Sequence, residues 1–332
     1  MLRGRIELPR LHSARLEGNL LGDPAERDVL VYLPPSYDRV PEARYPVVMV
    51  LPAYAATHRS LMSYRAWEPD FFERYERTLS AADAPEAILV APDCMTRWGG
   101  SQYLDSSVSG AYQSYVVDDV LPFVDARYRT RAERASRAVV GHSSGGFGAL
   151  RLALDRPEAF AFYASHAGDS AFEASIRPTF TGVAITLGRA GGLAAFLERF
   201  ERDGPRSGGD FDAIMTIASA AAYSPAPEKP WPHLELPFDL ATAEARDAIW
   251  ERWCAHDPVR RLSAPSRIDE ASFVYLDAGD RDEHGLQLGA RQIASRLRER
   301  GVPHLFEEFE GGHRGNAHRF ERSIPLLLGR MA

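Results

Sequence analysis

Hydrophobic residues in this chain fall into short unbroken runs separated by stretches of helical spacing. The runs at 45–51 and 87–91 are almost wholly apolar, as in strands buried on both faces of a parallel sheet. Further β-prone runs lie at 28–33, 136–140, 160–165, 272–277 and 304–309, and 12–22 alternates as an edge strand does. Between them, 67–79, 112–125, 146–154, 286–300 and 317–330 predict helices. In the second of these, Tyr115, Val116, Val120, Phe123 and Val124 share one helical face. Strands alternating with helices predict a mostly parallel α/β sheet with right-handed crossovers.

The pattern changes from 176 to 262. This segment is rich in Gly, Pro and Ala, has helical pieces at 192–202 and 242–255, and shows no buried-strand run. With Trp250 and Trp253 in it, the segment predicts a packed insertion over the sheet's C-terminal edge, a lid or cap, rather than a linker. The reading is therefore one catalytic domain over 1–332, with 176–262 as its lid.

Composition narrows the partners. The 332 residues are 45% hydrophobic and 26% charged, with a net charge of −7 and no basic cluster. That disfavours nucleic acid and anionic membranes and leaves a small molecule as the expected partner. Homo-oligomerisation stays open. No run is long and apolar enough to span a bilayer, and residues 1–9 lack the apolar core of a signal peptide, so the expected location is the cytoplasm. Cys94 and Cys254 are too few for a disulfide framework.

The chemistry centres on Gly141-His142-Ser143-Ser144-Gly145, a G-x-S-x-G motif between a predicted strand and a predicted helix. In that context it reads as a nucleophile elbow carrying Ser143. A serine hydroxyl needs a base to take its proton and a third group to orient that base. After the strand at 304–309 comes Glu310-Gly311-Gly312-His313, which makes His313 the candidate base. His318 is its rival, within the last helix. After the strand at 272–277 come Asp282, the first choice for the acid, and Asp280, the fallback. Asp280, Asp282, Glu283 and His284 also invite a metal reading, but such hydrophilic turns are common and no paired His or Cys spacing supports it. No metal and no cofactor are expected.

An oxyanion hole needs two backbone N–H donors. Ser144, after the nucleophile, is one. The other comes from the loop after 45–51, where Pro52 has no N–H, Tyr54 is the best candidate and Ala53 stands behind it. His58, and Trp98 and Tyr103 in the long loop 95–110, are candidates for lining the substrate pocket, although large rings serve cores first. His142 is a weaker one, since its side chain should point away from the serine.

The chain resembles the esterase D-type family of α/β-hydrolases, which includes feruloyl esterases, S-formylglutathione hydrolases, enterochelin-esterase-like enzymes and mycolyltransferases. The resemblance rests on Tyr32-Leu33-Pro34-Pro35-Ser36-Tyr37, on 45–51, on Ser101-Gln102-Tyr103-Leu104-Asp105-Ser106, on 119–130, on 141–146 and on Gly311-Gly312-His313. It implies the α/β-hydrolase fold, a Ser143–His313–Asp282 triad and Tyr54 as second oxyanion donor. One departure is that Pro52-Ala53 stands where such proteins carry His-Gly or Asp-Gly. The implied activity is a serine carboxylesterase working through an acyl-enzyme on short-chain or aromatic acyl esters. The alternatives are a feruloyl- or acetyl-type carbohydrate esterase and, from another class, a non-catalytic binding protein on the same fold.

Overall fold

The computed structural model describes residues 2–63, 66–263 and 266–331. Its strands are β1 (Arg5–Glu7), β2 (Arg10–His12), β3 (Glu26–Leu33), β4 (Val47–Leu51), β5 (Ile88–Pro92), β6 (Asp105–Ser106), β7 (Gly110–Ala111), β8 (Arg137–His142), β9 (Phe162–His166), β10 (Phe273–Gly279) and β11 (His304–Phe309). The main sheet runs β1-β3-β5-β4-β8-β9-β10-β11, with β2 also on β3. From β5 through β11 the neighbours are parallel, whereas β1, β2 and β3 are antiparallel to their partners.

Successive side chains of a strand face opposite sides, so the apolar runs divide into two cores. Val47, Met49, Leu51, Val90, Val139 and Leu276 face one way, under the helices Leu121–Arg127, Ser144–Asp155 and Leu286–Glu299. Val48, Val50, Leu89, Ala138, Val140 and Tyr275 face the other, under Phe71–Ala82 and Phe320–Leu328. The register pairs Met49 with Val139 and Leu51 with Gly141, then His142 with His166, Asp277 with His166, and Gly279 with Phe309. These pairings bring the C-terminal ends of β4, β8, β9, β10 and β11 to one edge of the sheet, where ligands of open α/β sheets bind.

The segment after β9 folds into helices Phe172–Ser175, Phe180–Arg189, Leu193–Asp203, Gly208–Tyr223, Asp247–Cys254 and Pro258–Leu262. The apolar faces of the first five share a third core with Trp98, Leu104 and Val108 of the long loop and Phe147 of the helix that follows β8, whereas Val259 and Leu262 of the last join the first core. Among the described residues, no single helix is long and apolar enough to cross a membrane.

Several boundaries differ from the sequence reading for identifiable reasons. The helix expected from Trp67 starts at Phe71, where Asp70 accepts the Glu73 N–H at 2.8 Å. Pro69 disfavours helix in the residue before it, and Trp67 is left fully exposed. The helix expected from 242 starts at Asp247, because the Asp239 carboxylate takes the N–H groups of Ala241 and Thr242 into a turn. In place of an edge strand over 12–22, β2 ends at His12 and a 3₁₀ turn spans Ala14–Leu16. The helix over 112–125 forms but widens by one residue at Tyr115–Val120, just before Pro122, which lacks the N–H of a regular turn. Gly208–Tyr223 escaped the periodicity because it is buried nearly all round, which leaves no polar stripe to set the phase.

Candidate active site

Ser143 occupies the turn between β8 and the helix Ser144–Asp155 with φ +55° and ψ −121°. A non-glycine residue with such a backbone is strained. The strain is held by Ser143 N–H donating to the His166 carbonyl at 2.9 Å and by close approach of neighbouring backbones. A Cβ on Gly145 would stand 2.0 Å from the Leu51 carbonyl oxygen. The helix therefore begins directly on the end of β4, and the loop after β4 lies beside Ser144.

The loops after β10 and β11 are joined as closely. A Cβ on Gly279 would meet Gly311 O at 2.4 Å. Asp280 N–H donates to Phe309 O at 2.8 Å, Arg281 N–H to Gly311 O at 2.9 Å, and Gly311 N–H to the Asp280 carboxylate at 3.0 Å. This frame sets His313 Nε2 3.0 Å from Ser143 Oγ and His313 Nδ1 2.8 Å from Asp282 Oδ2. The imidazole can accept the serine proton through one nitrogen while its other N–H donates to the carboxylate.

His313 is constrained on every side. Its backbone N–H donates to Glu283 Oε2 at 2.8 Å, and its carbonyl accepts from Asn316 Nδ2 at 3.0 Å and from His142 Nε2 at 3.1 Å. The rings of His142 and His284 each lie 4.8 Å from its own, centroid to centroid. Burial disfavours the charged form of His313, but the hydrogen bond and charge of Asp282 outweigh it and raise its pKa above the usual histidine value. Burial likewise works to raise Asp282, yet the bond from His313 and its charge, with the His284 N–H, hold it below the carboxylate norm. The pKa of His142 is depressed to about 4 by burial first and by the His313 charge second, so at neutral pH it is an uncharged N–H donor.

The structure separates the alternatives left open by sequence. Asp280 is exposed and braces Gly311, whereas Asp282 is buried on His313. His318 is exposed and turns back on Gly315 O at 3.3 Å. The four residues considered for a metal have separate partners: Asp280 binds Gly311 N–H, Asp282 and Glu283 take the ring and the backbone of His313, and His284 packs on that ring.

Tyr54, Ala53 and Ser144 line one narrow cleft of about 290 Å³. Ser144 opens a helix, where the first N–H groups lack intrahelical acceptors. The Pro52-Ala53 loop turns through Ala55, at φ +60°. Tyr103 lines the cleft, but its hydroxyl donates to Pro52 O, so it fixes the loop after β4. Three pocket expectations are corrected. His58 is buried beside Asp28, 3.7 Å from its carboxylate, because the turn at Thr57 carries it to β3. Trp98 is buried in the third core, with its Nε1–H on Glu201 at 3.2 Å. His142 is not in the cleft; it supports His313 from behind. Sequence reasoning passed over Asn316 and Glu283 as supports of His313, and over Asp169 beside Ser144. The only signal for Glu283 and Asn316 was their place in the two loops, and for Asp169 its place just after the strand at 160–165.

A serine on the turn after β8, with its partners after β10 and β11 of a mostly parallel sheet, defines the α/β-hydrolase fold. The chain belongs to the Esterase family: residues 24–325 match that family, whose description reads "Putative esterase". Among curated proteins it is similar to Esterase Rv1288 of Mycobacterium tuberculosis, at 25% identity over 232 residues, covering 66% of this chain and 40% of the relative. The chain thus spans well under two thirds of that relative's length. Among solved structures it superposes on a ferulic acid esterase with a TM-score of 0.62 at 18% identity, covering 99% of this chain and 100% of the other. An S-formylglutathione hydrolase from Agrobacterium tumefaciens gives 0.62 at 17% identity, covering 100% and 97%.

Proposed function

We propose that the protein hydrolyses carboxylic esters through an acyl-enzyme on Ser143. The observation that carries this reading is the unbroken relay from Ser143 Oγ to His313 Nε2 at 3.0 Å and from His313 Nδ1 to Asp282 at 2.8 Å. His313 takes the serine proton as Ser143 attacks the ester carbonyl, then delivers it to the leaving alcohol. Asp282 stabilises the imidazolium, and the Ser144 and Tyr54 N–H groups receive the oxyanion. A water activated by His313 then releases the acid. Segment 176–262 serves as the lid of a single catalytic domain over 1–332. The acidic net charge suits a small-molecule substrate rather than nucleic acid, and the buried free thiols Cys94 and Cys254 suit a cytoplasmic location.

The test is a panel of chromogenic esters with wild type and Ser143→Ala, together with labelling by a serine-directed fluorophosphonate. Hydrolysis and labelling in the wild type, both lost in the variant, are expected. Equal rates in the two proteins refute the reading, and a folded wild type with no adduct on Ser143 points to a binding protein. Methyl ferulate against a short aliphatic ester decides the acyl preference.

A further inference from the structure

Five residues, Ala167-Gly168-Asp169-Ser170-Ala171, join β9 to the helix Phe172–Ser175 beside the elbow. Their backbone is unusual. Ala167 has φ +43° and Ala171 φ +53°, a region that L-residues with a Cβ avoid at a cost of about 1 kcal/mol or more each. The surroundings impose this shape. Ala167 N–H donates to Asp277 O at 2.8 Å, Ser170 Oγ to Gly168 O at 3.0 Å, and the N–H groups of Ala171 and Phe172 to the two oxygens of Asp257, each at 3.0 Å. The loop also presses on the elbow helix, since a Cβ on Gly168 would stand 2.8 Å from the Gly146 carbonyl carbon.

The residue displayed between the two strained alanines is Asp169. Three fully buried carboxylates elsewhere in this protein are well satisfied. Asp277 is bonded to His166, Tyr275 and Arg319. Asp257 accepts three backbone N–H groups, and Asp210 takes both guanidinium nitrogens of Arg199. Asp169 is half-buried, yet among the described residues its side chain receives one long hydrogen bond, from Ser144 Oγ at 3.4 Å, and no ion pair. Burial raises its pKa, and the charges of His313 and His284 counter that, which sets it within electrostatic reach of the proposed base. A rigidly presented, under-coordinated carboxylate beside the nucleophile is a feature that folding alone does not call for.

We infer that Asp169 is a specificity-determining residue: it accepts a hydrogen bond from a hydroxyl or ammonium group close to the scissile ester and rejects substrates with an anionic group there. The inference rests on the ester-hydrolase reading of the same site. A buried acceptor left unpaired by the wrong substrate supports strong discrimination, and a like charge so close adds repulsion.

The experiment measures kcat/KM by pH-stat for pairs matched in shape. These are glycerol monoacetate against propyl acetate for the hydroxyl, protonated 2-(dimethylamino)ethyl acetate against 3-methylbutyl acetate for the ammonium, and acetoxyacetate against propyl acetate for the anion. Ethyl 3-hydroxybutyrate against ethyl butyrate places the hydroxyl on the acyl side. Any effect of Asp169 on His313 falls on both members of a pair, so the ratio isolates recognition. In the wild type at least one donor-bearing ester is expected to exceed its partner, and the anion to fall at least tenfold below its own. In Asp169→Asn the anion penalty is expected to shrink at least tenfold. Ratios equal in wild type and variant overturn the inference while ester hydrolysis stands. So does a wild type that cleaves acetoxyacetate as fast as propyl acetate, a result that needs no folded variant. A wild type that cleaves no ester in the panel overturns the underlying reading and this inference with it.

Discussion

His142 Nε2 donates to the carbonyl oxygen of His313 across 3.1 Å, and the two rings lie 4.8 Å apart. The residue before the nucleophile thus holds the backbone of the proposed base. This contact positions His313 without touching the reacting atoms. His142→Ala is expected to lower kcat by about tenfold to a hundredfold with little change in KM, the usual cost of slight misplacement. His142→Gln, which keeps an N–H donor, is expected to recover part of the loss. Steady-state kinetics on both variants check this, and a fall confined to KM contradicts it.

The pH dependence of kcat/KM follows from His313. Only the neutral ring accepts the serine proton, so activity rises as pH rises through its pKa. Asp282 holds that pKa above the ordinary value of about 6.5, and the acidic limb of the profile is expected above that point. Asp282→Asn removes the charge, so the limb moves to lower pH. It also turns the ring's N–H toward Ser143, and kcat is expected to drop by about 10³–10⁴-fold, as triad geometry dictates. A limb that stays in place in the variant argues that another group titrates.

Two glycines test how far the elbow depends on close backbone approach. In Gly145→Ala the new methyl meets Leu51 O at 2.0 Å, Leu51 C at 2.8 Å and Pro52 O at 2.9 Å, all backbone atoms. Stability is expected to fall by about 3 kcal/mol or more, with loss of activity. Gly182 lies in the helix Phe180–Arg189 with nothing within 4 Å of the added methyl, so Gly182→Ala is expected to be neutral or to stabilise by up to about 1 kcal/mol. Denaturant melts of the two variants provide the contrast.

Much of this was legible in the chain because it depends on local pattern. The apolar runs at 45–51 and 87–91 became β4 and β5, since an unbroken apolar run that short is buried most readily as an inner strand. The motif at 141–145 announced its turn because only small residues fit where a Cβ would touch Leu51. The insertion was harder to read. Gly208–Tyr223 carries no polar stripe, and the start of the helix at Asp247 depended on a side-chain turn at Asp239.

By itself, then, the sequence determined the order of the parallel strands, the serine on its turn and the two loops from which its partners come, because backbone geometry and burial period are local properties. Only the tertiary structure places Asp282 rather than Asp280 on the His313 ring, and His313 rather than His318 beside Ser143. It removed His58 and Trp98 from the pocket, assigned His142 to the back of His313 and brought Asp169 to Ser144. Those outcomes depend on where the ends of β8, β9, β10 and β11 lie relative to one another. That is set by sheet register and backbone contacts between segments far apart in the chain, which no local pattern encodes.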